Sequence, residues 1–122
     1  MSDGELLRRT ADLAQDFLDR LADRPVGLST DLPALRAALG GPLPEHGEES
    51  LVVIEHLARD VEPGLVGSAG PRYFGFVIGG SHPAALAADW LTSAWDQNAG
   101  LYVISPAAAV AEEVAAAWLI DV

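Results

Sequence analysis

Apolar residues recur at helical spacing in several separate segments of the chain, with polar residues between them. In the first segment, Ser2 and Glu5 have the spacing of a capping box, and the apolar stripe behind them predicts an amphipathic helix to about Ala22. Shorter helices are predicted from about Pro33 to Leu39 and from Glu48 to Arg59. The first half of the chain is therefore expected to be helical.

The second half alternates two short apolar runs with two further helices. Aromatic and β-branched residues from Tyr73 to Ile78 predict an extended segment, and Leu101 to Ile104 predicts a second one. Ser81 is a candidate cap for a helix that runs to about Trp95. Ser105, followed by a proline, is a candidate cap for the last helix. The fold prediction is a mainly α chain with two strand candidates.

The last predicted helix is apolar nearly all round, from Ala107 to Ile120. Such a helix is expected to be buried on several sides. No glycine follows it, and no basic residue lies in its final turn before the chain stops at Val122. Because natural termini are usually polar and exposed, we expect this chain to be a truncated part of a longer protein.

Composition and charge narrow the classes of function. The net charge is −11, so neither nucleic acid nor an anionic membrane is an expected partner. The N-terminus lacks the basic and apolar regions of a signal peptide, and no apolar run is long enough to span a bilayer, so the expected location is the cytoplasm. All basic residues are arginines, and there is neither lysine nor cysteine. The chain therefore has no thiolate nucleophile and no amine for Schiff-base chemistry beyond its N-terminus.

Other candidate chemistry is sparse. His46, His56 and His82 do not share the spacing of a metal site on one helix, and no metal site is expected. Glu112 and Glu113 are interpreted as a solvated stripe or a capping contact rather than as an acid/base pair.

A resemblance to a known family begins at Pro71. The run from Pro71 to Ser81 resembles a segment of the group II pyridoxal-phosphate-dependent amino-acid decarboxylases, the family of aromatic-L-amino-acid and glutamate decarboxylases. Further landmarks occur in the family's order, so the resemblance covers nearly the whole chain. They are Arg24-Pro25-Val26, Leu43-Pro44-Glu45, Val61-Glu62-Pro63-Gly64, Ala88-Asp89-Trp90-Leu91-Thr92-Ser93, Trp95-Asp96-Gln97-Asn98 and Ser105-Pro106-Ala107 with Glu112 or Glu113.

The resemblance implies the α/β fold of aspartate aminotransferase (fold type I), of which this chain would be the N-terminal helical segment. Residues 1–70 would form that segment with its linker, and residues 71–122 the pocket-wall segment and the start of the large domain. It also implies a homodimer with active sites at the subunit interface, and pyridoxal phosphate as the cofactor. The family's lysine, aspartate and histidine that hold the cofactor would lie downstream, so no catalytic residue is expected in this chain, and the isolated chain is expected to be inactive.

The same resemblance implies a set of substrate-binding residues in two places. One group would line the substrate pocket, and the other would reach the pocket of the opposite subunit. The first group is Phe76, Val77, Ile78 and Gly79, and the second is Gln97 and Asn98. The residues themselves also allow a plainer reading, in which the first group is an ordinary buried strand and the second forms a turn.

Two other hypotheses stay open. Another lyase of the same fold fits the resemblance, because fold and N-terminal sequence do not fix the reaction. A non-catalytic acidic helical module that binds a partner through its apolar second half fits the composition. The sequence does not identify which amino acid is the substrate.

Overall fold

A computed structural model describes residues 2–122 and contains α-helices and one 3₁₀ turn in that range, with no strand. The prediction of a mainly helical chain is confirmed. The chain divides into two compact units, one up to Gly80 and one from Ser81 to Val122. The helices are α1 (Asp3–Arg20), α2 (Leu32–Leu39), α3 (Ser50–Val61), the 3₁₀ turn (Glu62–Gly64), α4 (Pro83–Trp95) and α5 (Pro106–Asp121).

Helix α1 begins with the predicted capping box. The Ser2 side chain accepts a hydrogen bond from the Glu5 backbone N–H at 3.4 Å, and the Glu5 carboxylate accepts one from the Ser2 N–H at 2.8 Å. The helix ends at Arg20, slightly before the predicted end. A turn follows, in which the Arg24 N–H donates to the Arg20 carbonyl at 2.9 Å, and Pro25 directs the chain away.

In the first unit, α3 packs against both α1 and α2. The 3₁₀ turn lies close to α2: a Cβ added at Gly64 would lie 2.8 Å from the Leu35 side chain. A glycine at this position therefore permits the close approach. No apolar side chain of the described residues is fully buried, so the helices share half-buried faces rather than a closed core.

In the second unit, α4 is capped one residue later than predicted. His82, not Ser81, is the N-cap, and its Nδ1 accepts the Ala84 N–H at 3.2 Å. The reason is Pro83 at the first helical position, which holds the preceding residue in extended conformation. Helix α5 follows Ser105 as predicted, although the Ser105 Oγ is buried and has no hydrogen-bond partner among residues 2–122.

Both strand predictions are wrong. The N–H groups of Ile104 and Ser105 donate to the Leu101 carbonyl, which makes that segment a turn. Phe76 and Val77 have φ angles of 56° and 55°, which are incompatible with an extended strand. A β-strand requires a neighbouring strand to pair its backbone groups, and the described residues provide none.

Candidate functional site

The most exposed apolar surface in the first unit is the segment of residues 71–79, here called the aromatic loop. The exposed fractions of the Phe74, Phe76 and Val77 side chains are 93%, 88% and 104%. No charged residue lies between Tyr73 and Gly79. Contiguous exposed apolar side chains of this kind mark a binding or interaction surface.

The aromatic loop is closed at its base but weakly bonded within. A Cβ added at Gly80 would lie 3.4 Å from the Ala69 carbonyl oxygen, so the two ends of the loop are adjacent. Inside the loop, the Ile78 N–H donates to the Gly75 carbonyl at 3.4 Å. The Tyr73 ring covers Gly75, where an added Cβ would meet the phenol oxygen at 3.1 Å. A side chain at position 75 would therefore displace the Tyr73 ring.

The tip of the aromatic loop has a strained backbone. Phe76 and Val77 both lie in the left-handed region, and this conformation is rare for a β-branched residue such as Val77. Each such residue costs about 1–3 kcal/mol and persists only where its surroundings hold it. The four predicted wall residues thus lie together in one exposed, strained loop. They are Phe76, Val77, Ile78 and Gly79.

The other two predicted site residues lie in the second unit, in the turn between α4 and α5. The Gln97 amide nitrogen donates to the Trp95 carbonyl at 2.8 Å, and the Asn98 side-chain oxygen accepts the Gly100 N–H at 3.0 Å. Both residues are exposed. These bonds are local and shape the turn, and the assignment of Gln97 and Asn98 to a substrate pocket stays a prediction.

The residues of this chain do not fit a pyridoxal-phosphate site. The sequence has no lysine to bind the aldehyde of the cofactor. No lysine or arginine follows Arg72 in the aromatic loop to bind the phosphate of the cofactor. Several arginines are already paired with carboxylates, as in Arg9 with Glu55 and Arg24 with Glu62. No group of three or more potential metal ligands lies together in the described part of the chain.

Sequence reasoning missed two features of the first unit. The first is an open groove of about 730 Å³ between α1 and α3, lined by apolar residues such as Phe17 and Ile54. The second is the cluster around Arg24, whose side chain is only 9% exposed. Neither has a local signal, because each depends on residues far apart in sequence that tertiary packing brings together.

No helix within residues 2–122 combines the length and apolarity needed to cross a membrane. Among known proteins, "Tryptophan decarboxylase 1" of Oryza sativa subsp. japonica is 27% identical over 113 residues. The matched region is 93% of this chain and 22% of the relative, so the chain spans about a fifth of that protein's length. This chain is similar to a plant decarboxylase. No protein-family model matches the chain, and no solved structure matches it.

Proposed function

We propose that this chain is the N-terminal part of a pyridoxal-phosphate-dependent decarboxylase that removes the α-carboxylate of an L-amino acid as CO2. The observation that carries the proposal is the similarity to tryptophan decarboxylase along 93% of the chain. The helical architecture is compatible with it, since the N-terminal part of such an enzyme would precede its central sheet. The complete enzyme would then have the α/β fold type I.

In the complete enzyme, the electron sink for loss of CO2 would be supplied by pyridoxal phosphate held by residues outside this chain. This chain would not hold the cofactor, because it has no lysine. It would supply an apolar wall beside the substrate side chain, formed by Phe76, Val77, Ile78 and Gly79. Such a wall excludes water and discriminates by shape.

The partners in this proposal are the remainder of the decarboxylase polypeptide and a second subunit. Helix α5 supports a covered location, because Trp118, Leu119 and Ile120 are 69%, 79% and 85% exposed in this chain. Neighbouring exposed apolar side chains of this size are typical of an interaction surface. Gln97 and Asn98 would approach the pocket of the opposite subunit in a homodimer.

The test is release of CO2 by the longest polypeptide that the source gene encodes. The purified protein would be given pyridoxal phosphate and, in separate reactions, L-tryptophan, L-tyrosine, L-phenylalanine or L-glutamate. We expect CO2 and the matching amine from at least one of them, and none from the 122-residue chain as the matched control. A cofactor-loaded protein that consumes an amino acid without releasing CO2 would favour another lyase of the same fold.

A second candidate, a non-catalytic acidic interaction module, is favoured by the exposed apolar α5 together with the net charge of −11. It predicts that the longest source-gene polypeptide binds no pyridoxal phosphate. The cofactor absorbance of that polypeptide therefore separates the two candidates before any substrate is tried.

A further inference from the structure

Arg24 lies at the centre of a cluster that joins three parts of the first unit. Its Nη2 donates to the Glu62 carbonyl at 2.6 Å and to the Leu65 carbonyl at 3.3 Å, and its Nη1 pairs with the Glu62 carboxylate. The guanidinium also lies over the Phe17 ring, 5.1 Å from its centroid. The cluster therefore ties the last turns of α1 to the 3₁₀ turn and to Leu65.

The backbone of Arg24 is bonded in turn to the base of the aromatic loop. The Arg72 Nη2 donates to the Arg24 carbonyl at 2.6 Å. Arg72 precedes the aromatic run directly, and this bond spans 48 residues of sequence. Because the Arg24 side chain is held in place, its carbonyl is a fixed acceptor for the loop.

Close backbone packing reinforces this connection. A Cβ added at Gly70 would lie 2.9 Å from the Leu21 carbonyl oxygen. A Cβ added at Gly67 would lie 3.8 Å from the Arg24 side chain. The chain leading into the loop thus lies directly on the turn that contains Arg24, with no room for side chains at Gly70.

The loop requires such external support. Its own hydrogen bonds are few, and Phe76 and Val77 are in strained conformations. We propose that Arg24 is a positioning residue for the substrate-pocket wall, which it fixes in place through the bond between its carbonyl and Arg72. This inference rests on the function proposed above for the aromatic loop.

The first arm of the test is hydrogen–deuterium exchange on the longest source-gene polypeptide, measured by mass spectrometry. Three regions are compared: the aromatic loop (72–79), the segment that Arg24 contacts (61–66) and, as an internal reference, helix α3 (50–58). Arg72→Gln should accelerate exchange in 72–79 by about tenfold and leave 61–66 unchanged, since it removes one hydrogen bond from a charged donor. Arg24→Gln should accelerate both 72–79 and 61–66. Arg72→Lys, which keeps a donor, should restore most of the protection in 72–79.

The matched control is Arg59→Gln, because the Arg59 side chain is 65% exposed and pairs with its sequence neighbour Asp60. It should leave residues 72–79 unchanged. If Arg72→Gln leaves residues 72–79 at the parent rate, the inference is overturned. If Arg24→Gln loosens all three regions alike, Arg24 stabilises the whole unit and its specific role in positioning the loop is overturned.

The second arm separates a positioning role from mere stabilisation. The ratio of kcat/KM for L-tryptophan to that for L-phenylalanine should change at least threefold in Arg72→Gln, with the cofactor spectrum unchanged. A faster exchange rate with an unaltered kcat/KM ratio would support the role of the Arg72 bond in holding the loop and overturn the function of the loop as a pocket wall. An unaltered exchange rate with an active enzyme would overturn the tie and leave the proposed function standing.

Discussion

The side-chain bonds inside the first compact unit differ in kind from those inside the second. In the first unit, side-chain hydrogen bonds join residues far apart in sequence, such as Arg9 with Glu55 and Ser29 with Pro63, which are 46 and 34 positions apart. In the second unit, the side-chain bonds of the described residues all join positions 2 to 4 apart, and no ion pair is found among Ser81–Val122.

The difference shows where each unit obtains its tertiary stability. In the first unit, arginine side chains pair with carboxylates of the same unit. The second unit has neither lysine nor arginine and exposes its tryptophans, with Trp90, Trp95 and Trp118 at 42%, 62% and 69%. Its helices carry apolar faces that it does not cover. We therefore expect the second unit to depend on surfaces outside itself much more than the first does.

The largest expected effect is an all-or-none difference in cofactor chemistry. Neither unit contains a lysine, so the 122-residue chain should show no stable pyridoxal-phosphate band beyond slow reaction at its α-amino group. Absorbance spectroscopy followed by borohydride reduction and peptide mapping checks this. A stoichiometric adduct on an internal residue would contradict it.

The next largest effect concerns the apolar surface of the second unit. The 122-residue chain should self-associate through α5. Replacing Leu119 and Ile120 by serine should weaken that association by about 10- to 150-fold per side chain, since burying each contributes roughly 1.5–3 kcal/mol. Sedimentation velocity over a concentration series measures it. The control is Leu43→Ser, because Leu43 is an exposed leucine of the first unit, at 93% against 79% for Leu119. A parent chain that stays monomeric at every concentration would contradict the prediction.

A smaller effect should distinguish two ion pairs within the first unit. Arg24→Gln removes a largely buried donor of several hydrogen bonds and should lower the free energy of unfolding by about 2–3 kcal/mol. Glu55→Gln removes a pair whose side chains are 45% and 44% exposed and should cost less than about 1 kcal/mol. Urea unfolding, monitored by circular dichroism, measures the free energy of unfolding of both variants. Equal losses would contradict the central role of Arg24.

The smallest effect is the pH dependence of the start of α1. The Ser2 backbone N–H, and then the Ser2 hydroxyl, hold the pKa of Glu5 below its ordinary value of 4.5. A lowered pKa means that this carboxylate stabilises the helix above pH 4.5 and that its contribution is lost as the pH falls through the lowered pKa. An NMR titration of the Glu5 carboxyl carbon checks this, and Ser2→Ala should return the pKa part of the way. An unshifted pKa in the parent would contradict the capping box.

Sequence patterns predicted most of the fold because the helices carry their own local signals. The capping box at Ser2 and the proline after Ser105 both mark observed helix starts. The strand predictions failed because β-branched and aromatic residues indicate an extended segment only where another strand can pair with it. Residues 73–78 have no such neighbour in the described chain and form the strained aromatic loop instead.

The candidate site was predicted less completely. The apolar residues from Phe76 to Gly79 stood out in the sequence by their resemblance to a decarboxylase segment. The support of the loop by Arg24 did not, since its bonds to Glu62 and from Arg72 span 38 and 48 residues. Long-range bonds of this kind leave no periodicity to detect.

The central claim is that the aromatic loop forms the wall of a decarboxylase substrate pocket, and Ile78→Phe in the longest source-gene polypeptide tests it most directly. The measurement is kcat/KM for L-tryptophan, L-tyrosine, L-phenylalanine and L-glutamate, with Leu43→Phe as the matched control and the cofactor spectrum recorded for each protein. We predict that Ile78→Phe shifts the ratios between substrates by about 5- to 150-fold, corresponding to roughly 1–3 kcal/mol, and leaves the cofactor spectrum unchanged. A common factor for all substrates would contradict the claim.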